Sequence, residues 1–148
     1  MRLATSPPVK ASDVRYLVDA GPLIGWFSRR DQWHDWSTQA LQAVDDVLWT
    51  SEAVFAEACY QLGGNGPEVT ALVELADSGH LQLLSPFAGS TGRLRILLAK
   101  YPRMDVCGAS LVLLSEAHPA AKIVTLDVRD FSIYRRFRNE VLPLICPE

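Results

Sequence analysis

"YLVDAGPLIGW", residues 16–26, sets the apolar run Tyr16-Leu17-Val18 directly before Asp19 and follows it with Ala-Gly-Pro. A short continuous apolar run bounded by turn residues reads as a buried strand. Proline suits the first turn of a helix, where its missing N–H has no partner to lose. The stretch is therefore a strand that passes at once into a helix, with a carboxylate at the junction. "KIVTLDVRDF", residues 122–131, repeats the arrangement: Ile123, Val124 and Leu126 lead into Asp127, and Asp130 follows three residues later. Two such junctions, far apart in the chain, bring carboxylates together at one edge of a sheet.

Strand-like and helix-like segments alternate between them. After the helix through Leu23, Ile24, Trp26 and Phe27, "DWSTQALQAV" carries Trp36, Ala40, Leu41 and Val44 at helical spacing. "VLWTS" is the next strand, and Ser51 is a good N-cap for "EAVFAEACYQL". "GGNGPE" is a break, and Pro67 opens a helix through Leu72, Val73, Leu75 and Ala76. "HLQLLSP" reads as a strand, "GRLRILLAKY" and "VCGASLVLLSEA" as helices, and "VLPLICP" as a final edge strand. Helices alternating with short, continuously apolar strands predict a three-layer α/β/α sandwich around a mostly parallel central sheet.

A chain of 148 residues suits one domain with a sizeable core. We expect a flexible lead-in over residues 1–14 and a single domain over 15–148. Hydrophobic residues make up 49% and charged residues 21%, an ordinary globular balance. A net charge of -3 lacks the basic footprint of a strong nucleic-acid binder, so a nucleic-acid substrate would need cations or a local basic patch. No apolar run reaches membrane-spanning length, and "MRLATSPPVKASD" lacks the apolar core of a signal peptide. Cys59, Cys107 and Cys146 form neither a disulfide framework nor a zinc spacing. They read as buried structural thiols of a cytoplasmic protein.

In parallel sheets, ligands bind outside the carboxyl ends of the strands, where Asp19 and Asp127 are expected. Two helical acids are placed to join them: Glu57, after the second strand, and Asp105, at the start of the helix before the fourth. His34, His80 and His118 share no motif and read as surface or loop residues. No nucleophile triad is recognisable, and "LGGNGPE" lacks the Lys-Ser/Thr ending of a phosphate loop. The remaining chemistry is an acidic constellation. Oxygen donors alone suit Mg²⁺ or Mn²⁺, ions that activate water and neutralise charge in phosphodiester cleavage. Each acid also has a plainer use: Asp19, Asp105 and Asp130 as helix caps, Glu52 as an exposed first-turn acid. Arg29 and Arg30, and Arg135, Arg136 and Arg138, are candidates to line a phosphate groove, or are solvated helix faces. Thr125 is placed to orient a carboxylate.

The chain resembles the PIN-domain ribonucleases, in particular the VapC-like toxins of toxin–antitoxin pairs, from about Tyr16 onwards. Four blocks carry the resemblance in order: "LVDAGPLIGWFSRRDQWH" with Asp19, "TSEAVFAEACYQL" with Glu57, "KYPRMDVCGASLVLLSE" with Asp105, and "IVTLDVRDFSIYRR" with Asp127 and Asp130. The third block departs from the pattern. Relatives carry two aspartates there, and Gly108 stands at the second position. Gly108 also weakens its helix by roughly 1 kcal/mol relative to alanine.

The resemblance implies a metal-dependent endoribonuclease. Asp19, Glu57, Asp105 and Asp127 would be catalytic, the same four with Asp130 would hold Mg²⁺ or Mn²⁺, and RNA would be the substrate. It further implies a VapB-like antitoxin whose tail obstructs the acidic pocket, and a homodimer formed through the early helices. The alternative is a catalytically weakened PIN-fold module that binds RNA or protein, and Gly108 is the feature favouring it.

Overall fold

Hydrophobic burial draws five short strands into one sheet. A computed structural model describes residues 9–10 and 13–148. The strands are β1 (Tyr16–Val18), β2 (Leu48–Ser51), β3 (Leu81–Leu84), β4 (Lys122–Val124) and β5 (Leu144–Ile145). All five run parallel, in the order β3-β2-β1-β4-β5. β1 occupies the centre, with Leu17 opposite Trp49 on one side and Ile123 on the other. Leu17, Val18, Ile123 and Val124 are fully buried, which explains why the strands read as unbroken apolar runs.

Helices connect successive strands. α1 (Ala20–Phe27) and α2 (His34–Gln42) lie between β1 and β2, while α3 (Glu52–Gln61) and α4 (Pro67–Asp77) lie between β2 and β3. α5 (Thr91–Lys100) and α6 (Val106–Ala117) return the chain to β4, and α7 (Val128–Phe131) follows it. The fold is the expected three-layer α/β/α sandwich, its sheet wholly parallel. Ser51 caps α3 as read, its Oγ accepting from Val54 N at 3.0 Å. Gly66, at φ 115°, makes the turn into Pro67 that opens α4. α6 differs from the other helices in being buried without interruption from Gly108 to Ser115, because α3, α5, β2 and β4 all pack on it. Its Ser110 hydroxyl bonds Ser51 at 2.7 Å and satisfies a polar group inside the core.

Between α7 and β5 the chain makes a hairpin, with Arg135 and Val141 paired antiparallel. Arg138 and Asn139 turn it at φ 62° and 59°, the left-handed pair that tight hairpins require. The lead-in expected over residues 1–14 falls largely outside the described residues. Val14, at its end, is buried in the core. The three cysteines are free thiols, half-buried rather than buried as expected. His118, which reads as a surface or loop residue, lies in a loop but is buried. Among the described residues, no helix is long and apolar enough to cross a membrane.

Candidate active site

From β1 the chain winds outwards to β2 and β3, then crosses back to place β4 and β5 on the other side of β1. The winding direction therefore reverses between β1 and β4, and a crevice opens at their carboxyl ends. Asp19 follows β1 directly. Asp127 follows β4 after Thr125 and Leu126, so it caps α7 rather than ending the strand. Both acids border a cleft of about 310 Å³, together with Glu57 from α3, Asp105 from the N-terminus of α6 and Asp130 from α7. All five acids singled out in the sequence thus meet in one place.

Local hydrogen bonds set each carboxylate. Asp19 Oδ1 accepts from Ala20 N at 2.8 Å and caps α1, and Oδ2 accepts from the Thr125 hydroxyl at 2.8 Å. Thr125 Oγ1 in turn accepts from Asp127 N at 3.0 Å, so one threonine ties the two strand ends together. Asp127 Oδ1 accepts from Asp130 N at 3.1 Å. Asp127, not Asp130, is therefore the cap of the last helix. Asp105 caps α6, its Oδ1 accepting from Gly108 N at 2.8 Å. Half-buried Glu57 accepts at Oε1 from Gln61 Nε2 at 3.0 Å, so its neighbour is an amide and not a basic side chain.

Charge is concentrated here without full compensation. Burial pushes the Asp19 carboxyl from 3.8 up to about 6, the Thr125 and Ala20 hydrogen bonds oppose the rise, and the charges of Asp127 and Asp105 add to it. Asp127 is also raised, chiefly by burial. Cys107 lines the same cleft. Burial, and then the charges of Asp105, Glu57 and Asp19, push its thiol up to about 11. Burial and the acids Asp130, Asp127 and Asp105 push Tyr134 up to about 12. The raised values of Asp19, Asp127, Cys107 and Tyr134 mark a cleft that favours an added cation.

The donor chemistry fits a hard divalent cation, since carboxylates are most of the charged groups in the lining. Among the described residues, however, no three His, Cys, Asp or Glu side chains are gathered into a ready ligand set. Three of the acids, Asp19, Asp105 and Asp127, hold their own helix ends. At Gly108 an added Cβ would meet Asp105 Oδ1 at 3.4 Å and Tyr134 Cε2 at 3.7 Å, ordinary contacts that accommodate a Cβ.

The arginines are placed elsewhere. Arg29 and Arg30 are exposed beside Glu68 and do not line the acidic cleft. Arg135 Nη1 donates to the carbonyls of Ser132, Ile133 and Tyr134, closing the turn after α7. Arg136 Nη1 donates to Ser115 and Pro119, and Nη2 to Glu140. Its guanidinium pins the hairpin to the end of α6. The cation that does line the cleft is Arg103, whose Nε donates to Asp130 Oδ1 at 3.1 Å. Sequence reading passed over it, although its place in "KYPRMD", two residues before a helix-capping acid, sets it at the site end of α6.

No protein-family model and no curated protein matches the chain. Solved structures do. VapC20 of Mycobacterium tuberculosis, described as a Sarcin-Ricin loop cleaving toxin, superposes with a TM-score of 0.69 at 13% identity, covering 77% of this chain and 91% of its own. VapBC2 of Rickettsia felis, bound to a DNA fragment from its promoter, gives a TM-score of 0.59 at 16% identity, covering 91% and 100%. Element order, the parallel sheet and these superpositions agree: the chain has the PIN-domain α/β/α fold of the VapC structures.

Proposed function

We propose that the protein is a metal-dependent endoribonuclease and the toxin of a VapBC-type pair. The observation that carries this reading is the meeting of five carboxylates at the sheet's switch point, with Asp19 held near 6 by burial and by its acidic neighbours. The VapC fold supports the same reading. Asp19, Glu57 and Asp127 would hold Mg²⁺ or Mn²⁺, with Asp105 and Asp130 at its edge. When bound, such an ion supplies Lewis acidity towards a phosphodiester and a water of lowered pKa. The chain's own contribution is positioning. Thr125 fixes Asp19 Oδ2, and through Asp127 N it fixes the distance between the two strand ends. Val54 and Ala58, buried beside Glu57 on α3, hold that helix against the core. The VapB-like antitoxin, the homodimer and the cytoplasm belong to this reading.

The test is cleavage of structured RNA by purified protein with Mn²⁺ or Mg²⁺ against EDTA, beside Asp19→Asn prepared identically. Metal-dependent cutting lost in the variant is expected. Equal activity in both proteins would assign the signal to a contaminant.

A weakened binding module is the second reading, favoured by Gly108 and by the absence of a ready ligand set among the described residues. Gly108→Asp distinguishes them, because an added Cβ is accommodated there. A large gain in cleavage identifies a degraded site, and little change identifies Asp105 as sufficient.

A further inference from the structure

Among the described residues, five carboxylates and one guanidinium line the cleft. The arginine stands on the segment between α5 and α6, and its partner Asp130 on α7. The Arg103 side chain is 62% exposed, whereas that of Asp130 is 13% exposed. Only Nε is engaged: among the described residues neither Nη donates a hydrogen bond. Arginine carries five N–H donors in a planar fork shaped for phosphate, so most of this fork is unused. The arginine end of the pair stays in water, so its guanidinium is already hydrated where a phosphate would approach. Arg136 is the contrast, 10% exposed and bonded to four acceptors. The Arg103–Asp130 pair thus joins a buried acid to an exposed cation with donors to spare.

We propose that Arg103 is the phosphate-recognising side chain of the cleft, resting on Asp130 in the free protein and offering its Nη donors to an RNA backbone phosphate as the strand enters. The inference rests on the nuclease reading above and names the residue that admits a polyanion to an acid-lined floor. Like charges in the cleft repel the phosphates, and a guanidinium at the rim offsets that repulsion where the strand arrives.

The experiment follows fluorescence anisotropy of a short fluorescein-labelled RNA hairpin in Mg²⁺ across a salt series, in the non-cleaving Asp19→Asn background. Arg103→Gln is expected to weaken binding about tenfold. It should also lower the slope of log affinity against log salt by about 0.7–0.9, the value of one phosphate contact. Arg103→Lys is expected to keep the slope while losing part of the affinity, since the point charge remains and the fork does not. In the cleaving protein, Arg103→Gln is expected to raise KM. A purely structural tie would shift the melting temperature and leave the salt slope alone, and that result overturns the inference. RNA cleavage by the parent with affinity, slope and KM unchanged in Arg103→Gln overturns it while the nuclease reading stands. A parent that neither binds nor cleaves RNA overturns both.

Discussion

Asp19 is ionised at a cost. Its carboxyl is buried and titrates near 6 in the folded chain against 3.8 unfolded, so folding favours the protonated form. Stability from this group is fully present below 3.8 and is lost as pH rises through about 6. Asparagine at this position remains neutral throughout. In metal-free buffer, Asp19→Asn is therefore expected to be more stable than the parent at neutral pH, by up to about 3 kcal/mol. The gap should close on acidification and vanish below the unfolded value, as thermal melts across pH will show. A variant less stable than its parent at neutral pH would mean that the Thr125 and Ala20 hydrogen bonds outweigh burial. The same substitution removes the carboxylate that a cation needs, so stability and cleavage are expected to move in opposite directions, as is common where a site gathers unpaired charge.

At the scale of elements, helix packing is tightest where α1 meets α2. Gly25 is buried, and a Cβ there would run into the Ser37 side chain and come within 3.1 Å of the Trp33 carbonyl oxygen. Alanine gains about 1 kcal/mol in helix propensity over glycine. Overpacking against a backbone atom costs up to about 3 kcal/mol, and it prevails because the carbonyl cannot rotate away. Gly25→Ala is expected to lower stability by about 2 kcal/mol, read from the urea midpoint with an unchanged m-value.

This close approach was not visible in the sequence, and the reason is general. The strands and helices were legible because their cues are local: apolar runs, Pro22 and Pro67 at helix starts, Ser51 as a cap, the glycines of "GGNGPE". The five acids were legible because strand ends and the helices that follow them announce the carboxyl edge of a parallel sheet. Partnerships across the chain had no such cue. Arg103 with Asp130 and Arg136 with Ser115 join residues on separate elements. Only its place two residues before Asp105 distinguishes Arg103 from Arg29 or Arg30, which remain on the surface away from the cleft. Asp130 was read as a cap because it precedes Phe131. The helix begins three residues earlier, so Asp127 takes that place.

For the whole molecule, the acid cleft and the fold are coupled. A ligand that binds only the folded state stabilises it, by about 2.7 kcal/mol at a hundredfold excess over Kd. Saturating Mn²⁺ is expected to raise the melting temperature of the parent, by an amount that grows with the logarithm of its concentration, and to leave Asp19→Asn unmoved. An equal shift in both proteins would place the ion elsewhere.

The strand order has a temporal consequence as well. β1, made well before β4, sits at the centre of the sheet with β4 as its neighbour on one side, Tyr16 opposite Lys122. The crevice between them has one wall until β4 is made. Asp19 and Glu57 emerge early, but Thr125, which holds Asp19, and Asp127, which faces it, are translated far later. With domains folding as units while the chain grows, a nascent chain halted before β4 carries Asp19, Glu57 and Asp105 but lacks the wall that closes the cleft. Whatever this site does, it begins only once the ribosome has nearly finished with the residues that build it.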